Sequence, residues 1–246
     1  MLLYKIVKEL FLIMRYHYII EMQSIKKNLV WVSENFFTMR RQSMNQKERM
    51  LNGLPYKAWL DGLEEERNAC KQKIYEFNML PPKDRDKIPS MLKNIFGKTG
   101  ENIMIEAPFH CDYGWNIEVG ENFFANYNLT ILDVGKVTIG KNAQIAPNVA
   151  IYTAGHPIHP DSRNSGYEYG IPVTIGDNVW IGGNTVILPG VTVGNNVVIG
   201  SGSVVTKDIP DNMIAVGNPC RVIREITEDD RRFYYKNREF DVEDYK

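Results

Sequence analysis

The chain has 246 residues, 43% of them apolar and 24% charged, with a formal net charge of −1. That length holds one large domain or two small ones, and so small a net charge excludes a global field that would draw nucleic acid or an anionic membrane. Three widely spaced cysteines, Cys70, Cys111 and Cys220, with no CxxC pair, argue against a disulfide framework or a zinc knuckle and suit a reducing, cytoplasmic compartment.

The chain opens on an apolar and aromatic stretch, residues 1–20, interrupted by Lys5, Lys8, Glu9 and Arg15. Its uninterrupted runs are far too short to span a bilayer, and no small-residue cleavage site follows, which argues against a signal peptide. An amphipathic helix on a membrane or a partner is one reading. An extension outside the working fold is the plainer one, and residues 1–43 are assigned to it without a role. Residues 44–100 then read as a helical cap. Leu60, Leu63, Ile74 and Phe77 leave an apolar stripe, Pro81-Pro82 breaks the run, and a second helix is expected from Arg85 to Phe96, closed by Gly97.

Residues 101–218 carry a repeat. Every sixth residue from Ile175 is a β-branched aliphatic: Ile175, Ile181, Ile187, Val193, Ile199, Val205. Glycine follows at Gly176, Gly182, Gly194 and Gly200, and a small or β-branched residue stands four positions on, at Val179, Thr185, Val191, Val197 and Ser203. Ile139, Ile145 and Ile151 share the frame, and a looser copy runs Tyr113, Val119, Ala125, Ile131 before a two-residue shift. A six-residue period fits neither an α-helix nor an ordinary strand. It fits a chain that turns a corner every six residues, three faces making one triangular coil whose neighbours stack by parallel strand pairing. The fold class is therefore mainly β, a parallel β-helix, with the helical cap before it. One insertion, residues 155–172, breaks the frame and holds two of the four histidines; inserted loops on repeat proteins cluster on the binding face. Residues 219–246 close the chain, with a helix expected from Thr227 as N-cap.

The stretch from Ile175 to Ile226, IGDNVWIGG through CRVIREI, resembles the hexapeptide-repeat acyltransferases, and the chain from about Met44 onward is similar to the maltose and galactoside O-acetyltransferases within that family. The resemblance implies a left-handed winding, acetyl-CoA as co-substrate, a sugar hydroxyl as acceptor, no metal and a homotrimer. It places the general base at His156, in Gly155-His156-Pro157, a role suited to a side chain that titrates near neutrality; without it, a loop histidine bound to a carbonyl explains the residue as well. Asn126, in FFANYN, matches a residue held at the acetyl group, although an asparagine there also suits a left-handed corner. Asp112, in CDYG, matches an acceptor contact and looks more like the maltose type. Gly183, Ser201, Thr206 and Lys207 match CoA contacts, and Arg221 and Arg224 are expected at the nucleotide phosphates.

Three further residues are candidates by position. Glu168 could orient His156 or bind sugar hydroxyls, Asp133 could face the acceptor beside Asp112, and Trp180 could pack against sugar or pantetheine. His159 receives no role. Ala58 stands where the family often has an acidic residue, with Asp61 three positions on, which weakens a galactoside acceptor. The competing readings are another hydroxyl acceptor such as an antibiotic, a metal-dependent member of the fold needing three histidine ligands, and a non-catalytic scaffold.

Overall fold

The computed structural model describes residues 43–242 together with Met22, Lys26 and Asp244. The expectation for residues 1–43 therefore lies, apart from Met22, Lys26 and Ser43, outside the described residues. No helix among the described residues is long and apolar enough to cross a membrane.

The six-residue period builds three sheets of very short strands. Face I stacks Lys98–Thr99, Ile117–Val119, Val137–Ile139, Val173–Ile175 and Thr192–Val193. Face II stacks Met104–Ile105, Phe124–Ala125, Gln144–Ile145, Trp180–Ile181, Val198–Ile199 and Met213–Val216, then turns back through an antiparallel Arg221–Glu225. Face III stacks Phe109–Cys111, Leu129–Leu132, Ala150–Tyr152, Val186–Ile187 and Val204–Val205. Within each face the pairing is parallel and in register, so like residues sit over like: Ile145, Ile181 and Ile199 on face II, Ile151, Ile187 and Val205 on face III. These inward residues are buried and form one continuous core. That is the gain that stacking supplies, since no single coil could enclose its own apolar side chains.

At the corners glycine relieves crowding between coils, but the turn itself is made by another residue. Gly120, Gly140, Gly176 and Gly194 do not adopt positive φ; the residue that does is the asparagine two positions later, at Asn122, Asn142, Asn178 and Asn196, with φ of 56, 57, 57 and 55°. Asparagine is the side chain that best tolerates the left-handed region. Their amides also bond from coil to coil: Asn122 Nδ2 donates to Asn142 Oδ1 (2.9 Å), Asn142 to Asn178 (2.8 Å), Asn178 to Asn196 (2.9 Å) and Asn196 to Asn212 (2.7 Å). The glycines are required by proximity, because a Cβ on Gly140 would lie 2.6 Å from the carbonyl carbon of Gly176. Replacing Asn178 by alanine should cost about 1–2 kcal/mol, since it loses both the ladder bonds and the tolerance for positive φ. Asn178→Gly should cost less than half of that; equal losses in denaturant unfolding would place the energy in the amide bonds alone.

The cap is less helical than its pattern suggested. It comprises α1 (Gln46–Leu51), α2 (Leu63–Asn78), a 3₁₀ turn (Pro82–Lys87) and α3 (Ile88–Ile95), with an irregular link between α1 and α2. Leu63, Ile74 and Phe77 are buried as the stripe implied, but Leu60 precedes α2 and is exposed. Phe77 and Phe96 each meet Phe109 edge-on, which seats the cap on the first coil of face III. There Cys70 on α2 and Cys111 on face III are buried free thiols with their sulfurs 3.6 Å apart.

The C-terminus departs from the expected helix. Only one turn forms, α5 (Asp229–Arg232), followed by an antiparallel hairpin of Phe233–Tyr235 and Arg238–Glu239. Thr227 does not cap it with its own side chain; instead Asp230 folds back, accepting from the Thr227 backbone N–H at 2.9 Å and from both terminal nitrogens of Arg224 at 2.6 and 2.7 Å.

Candidate active site

The candidate residues divide between two edges of face III. At the edge toward face I stand Asp112, Asp133 and the root of the inserted loop. The chain leaves the solenoid there at Thr153, whose Oγ1 accepts from the Gly135 N–H at 2.8 Å. The loop runs out through Ala154–Gly155, makes one helical turn α4 (Pro160–Asn164), and returns through Tyr169–Gly170 paired antiparallel to the outgoing strand. His156 and Glu168 thus face each other at the mouth of a two-stranded stem, with His156 Nε2 and Glu168 Oε2 4.0 Å apart.

Glu168 is also gripped by the cap. The backbone N–H of Tyr56 donates to the Glu168 carbonyl at 2.9 Å, the Glu168 N–H donates back at 3.0 Å, and the Tyr56 hydroxyl donates to Glu168 Oε1. Tyr56 is fully buried in a small cluster with Met50, Ala58, Leu63, Tyr113 and Val134. Burial, and then the bond to Glu168, hold its hydroxyl well above the usual phenol range, so it remains a proton donor. Sequence reading did not single out Tyr56; a buried tyrosine in an irregular segment carries no periodic signal.

Asp133 is fully buried, which corrects the expectation that it faces the acceptor. Its Oδ1 accepts from the backbone N–H groups of Asp112 and Tyr113, both at 2.9 Å, so it holds the corner that carries Asp112 rather than meeting a ligand itself. Burial pushes its carboxyl up to about 6, against those two stabilising bonds, and its Oδ2 has no partner among the described residues. Asp112 is also raised, by desolvation first, with Arg67 opposing and Glu168 adding to the shift. Arg67 lies against this corner, its guanidinium 3.4 Å from the Tyr113 hydroxyl.

A pH effect on stability follows from Asp133. The folded state holds this proton more tightly than the unfolded chain, so the proton's contribution is complete below about pH 4 and is lost as pH rises through about 6. The lost contribution is of the order of 3 kcal/mol. Asp133→Asn keeps an oxygen for the two N–H groups and cannot ionise. The difference in unfolding free energy between the two proteins should therefore change between pH 4 and 7, and a pH-independent difference would contradict a buried, raised carboxyl.

The other edge, between faces II and III, collects different residues. Asn126 follows Phe124–Ala125, and the Asn126 N–H donates to the Ile145 carbonyl one coil on. Above it come Ala146, then Gly182-Gly183, then Gly200-Ser201, each joined to the next coil by the equivalent bond, with the Gly202 N–H donating to the Gly183 carbonyl at 2.8 Å. Asn126, Gly183 and Ser201 therefore mark one line along the prism, about 15 Å long at the spacing of paired strands. Asn126 is not the left-handed corner; that conformation belongs to Asn128, at φ 62°, while Asn126 Oδ1 accepts from the Tyr127 N–H at 2.8 Å.

Trp180 lies on face II, outward and more than half exposed, between Gln144 and Val198. Thr206 and Lys207 are exposed at the far edge of face III. Arg221 and Arg224 lie on the strand that closes face II, with the Arg224 guanidinium already engaged by Asp230. No hydrogen bond or ion pair among the described residues joins the Asn126 line to His156. No group of three metal-ligating side chains occurs among the described residues. His159 instead caps α4, its Nδ1 accepting from the Asp161 N–H at 3.3 Å.

Residues 49–100 match the maltose acetyltransferase hexapeptide capping motif, and residues 172–207 match the bacterial transferase hexapeptide of six repeats. The galactoside O-acetyltransferase of Escherichia coli K12 is 49% identical over 195 residues, covering 79% of this chain and 96% of that protein. Among solved structures, a galactoside acetyltransferase in complex with coenzyme A has a TM-score of 0.79 at 48% identity, covering 81% of this chain and 100% of that one. A maltose O-acetyltransferase from Clostridium difficile 630 has a TM-score of 0.74 at 56% identity, covering 75% and 99%. Repeat, cap and similarity over nearly the full length of these relatives agree: the chain belongs to the hexapeptide-repeat acetyltransferases of the galactoside and maltose O-acetyltransferase type.

Proposed function

We propose that this protein transfers an acetyl group from acetyl-CoA to a hydroxyl of a sugar of the maltose or glucose type, by direct attack in a ternary complex. The observation that carries the reading is the pairing of His156 with Glu168 beside Asp112, at the mouth of the inserted loop. The His156 imidazole takes the proton of the acceptor hydroxyl, at the ring nitrogen turned away from Glu168, as the hydroxyl oxygen attacks the thioester carbonyl. Asn126 sits at the acetyl group. The tetrahedral intermediate collapses, the C–S bond breaks, and the imidazolium returns its proton to the departing CoA sulfur. Asp112 accepts hydrogen bonds from the sugar, on a corner fixed by Asp133. Acetyl-CoA lies along the line of Asn126, Gly183 and Ser201, where small residues allow close approach. Lys207 and Arg221 meet its phosphates, and Arg224 must leave Asp230 to join them.

The two edges of face III explain why the site needs a second copy. His156 rises from one edge and Asn126 stands on the other, separated by the length of a face III strand. Packing the loop edge of one protomer against the Asn126 edge of the next joins the two halves, and cyclic closure gives a homotrimer with shared sites. The free, buried cysteines suit a cytoplasmic location.

The test is thiol release from acetyl-CoA by the native chain with glucose, maltose, a thiogalactoside and hydroxylated antibiotics as acceptors. Stimulation by glucose or maltose, with an acetylated sugar detected by mass, is the expected result. Stimulation by an antibiotic alone overturns the acceptor class, and no CoA binding at all leaves a non-catalytic scaffold.

A further inference from the structure

Tyr56 belongs to the cap, far in sequence from the inserted loop, yet it makes three hydrogen bonds to one residue of that loop. Two are backbone bonds that fix where Glu168 lies. The third, from the Tyr56 hydroxyl to Glu168 Oε1, fixes how its carboxylate is turned, so that the other oxygen, Oε2, faces His156 Nε2 at 4.0 Å. The Glu168 side chain is only 20% exposed, whereas that of His156 is 57% exposed and has no other ion-pair partner among the described residues. A half-exposed histidine on a long loop has many rotamers open to it. A buried phenol, packed among Leu63, Tyr113 and Val134, is the rigid anchor in the chain that runs from the cap core to the loop tip.

We infer that Tyr56 is a positioning residue for acetyl transfer, acting through Glu168 on His156 and so making the cap part of the catalytic machinery. The inference rests on the assignment of His156 as the base. The Tyr56 hydroxyl turns one carboxylate oxygen inward and leaves the other to orient the imidazole and to balance the charge it gains when it takes the acceptor's proton. Tyr56 touches neither substrate, so its loss should lower kcat and leave the KM for acetyl-CoA unchanged.

The experiment is a double-mutant cycle on the full chain, with maltose and acetyl-CoA as probes and His156→Ala as a reference. Tyr56→Phe keeps the ring in its cluster and both backbone bonds, and removes the oxygen alone. It should reduce kcat about ten-fold, the scale of one hydrogen bond to a charged group. In a Glu168→Ala background, where the hydroxyl has nothing to orient, the same change should alter kcat less than about two-fold. Equal reductions in both backgrounds, no reduction in the native one, or a Tyr56→Phe protein that fails to fold would each overturn the inference, the last because the hydroxyl would then be structural. The reading beneath it fails separately: His156→Ala with native turnover removes the base, whereas an inactive His156→Ala with an additive cycle removes only the role of Tyr56.

Discussion

Replacing His156 by alanine is expected to lower kcat by about 10²–10⁴-fold, the range that a positioned general base supplies. Folding and acetyl-CoA affinity should both survive. The imidazole is more than half exposed and, among the described residues, pairs only with Glu168, so its removal opens no cavity and orphans no buried donor. The proposed CoA line of Gly183 and Ser201 runs along the other edge of face III and loses no contact. Steady-state thiol release at saturating maltose measures the first effect and calorimetric titration with CoA the second. If affinity falls with the rate, His156 is a CoA ligand. If the rate is retained, the base lies elsewhere.

Gly140→Val should strongly destabilise the solenoid. The position looks permissive, at a solvent-facing corner with ordinary φ. Yet a Cβ there would lie 2.6 Å from the carbonyl carbon of Gly176 and 2.7 Å from the Asp177 nitrogen, which are backbone atoms that cannot rotate away. Two coils must separate, breaking the bond from the Lys141 N–H to Asp177 Oδ1 (2.9 Å) and disturbing the adjacent step from Asn142 to Asn178. Overpacking commonly costs 1–3 kcal/mol, and a clash between backbones belongs at the upper end, about 3 kcal/mol. A fall in the denaturant midpoint matching that loss is expected; an unchanged midpoint would mean that the stack is more elastic than its register indicates.

The core of the solenoid was legible because its period has a single physical cause. Each inward aliphatic from Ile175 to Val205 recurs every six residues, and parallel in-register pairing follows directly. The corners were half legible. The glycines were visible, but the asparagines two positions later, which turn the chain and bond from coil to coil, were not separated from ordinary polar surface. The cap and the C-terminus were less legible, since short helices and hairpins there answer to contacts distant in sequence. Leu60 fits a helical stripe but lies before α2, and Asp230 meets Arg224 only because the chain doubles back.

The site shows the same division. His156 and Glu168 could be named from the loop they share, and Asp112 from its motif. Burial at Asp133 and the grip of Tyr56 on Glu168 depend on two segments meeting, and no spacing encodes that. Ala58 is buried in the same cluster as Tyr56, and Asp61 is turned to α1, accepting from the Gln46 N–H at 2.7 Å. The cap therefore presents no carboxylate at Ala58, and its link to the loop's Glu168 runs through Tyr56.

The most direct measurement is the initial rate of acetyl-CoA turnover as acetyl-CoA and maltose are varied together. Direct attack within a ternary complex predicts double-reciprocal lines that converge, with no acetylated protein detectable by mass when acceptor is withheld. Parallel lines, with an acetyl group retained on the protein, would mean that a side chain carries the acetyl group between the two substrates and that His156 is not a base acting directly on the acceptor.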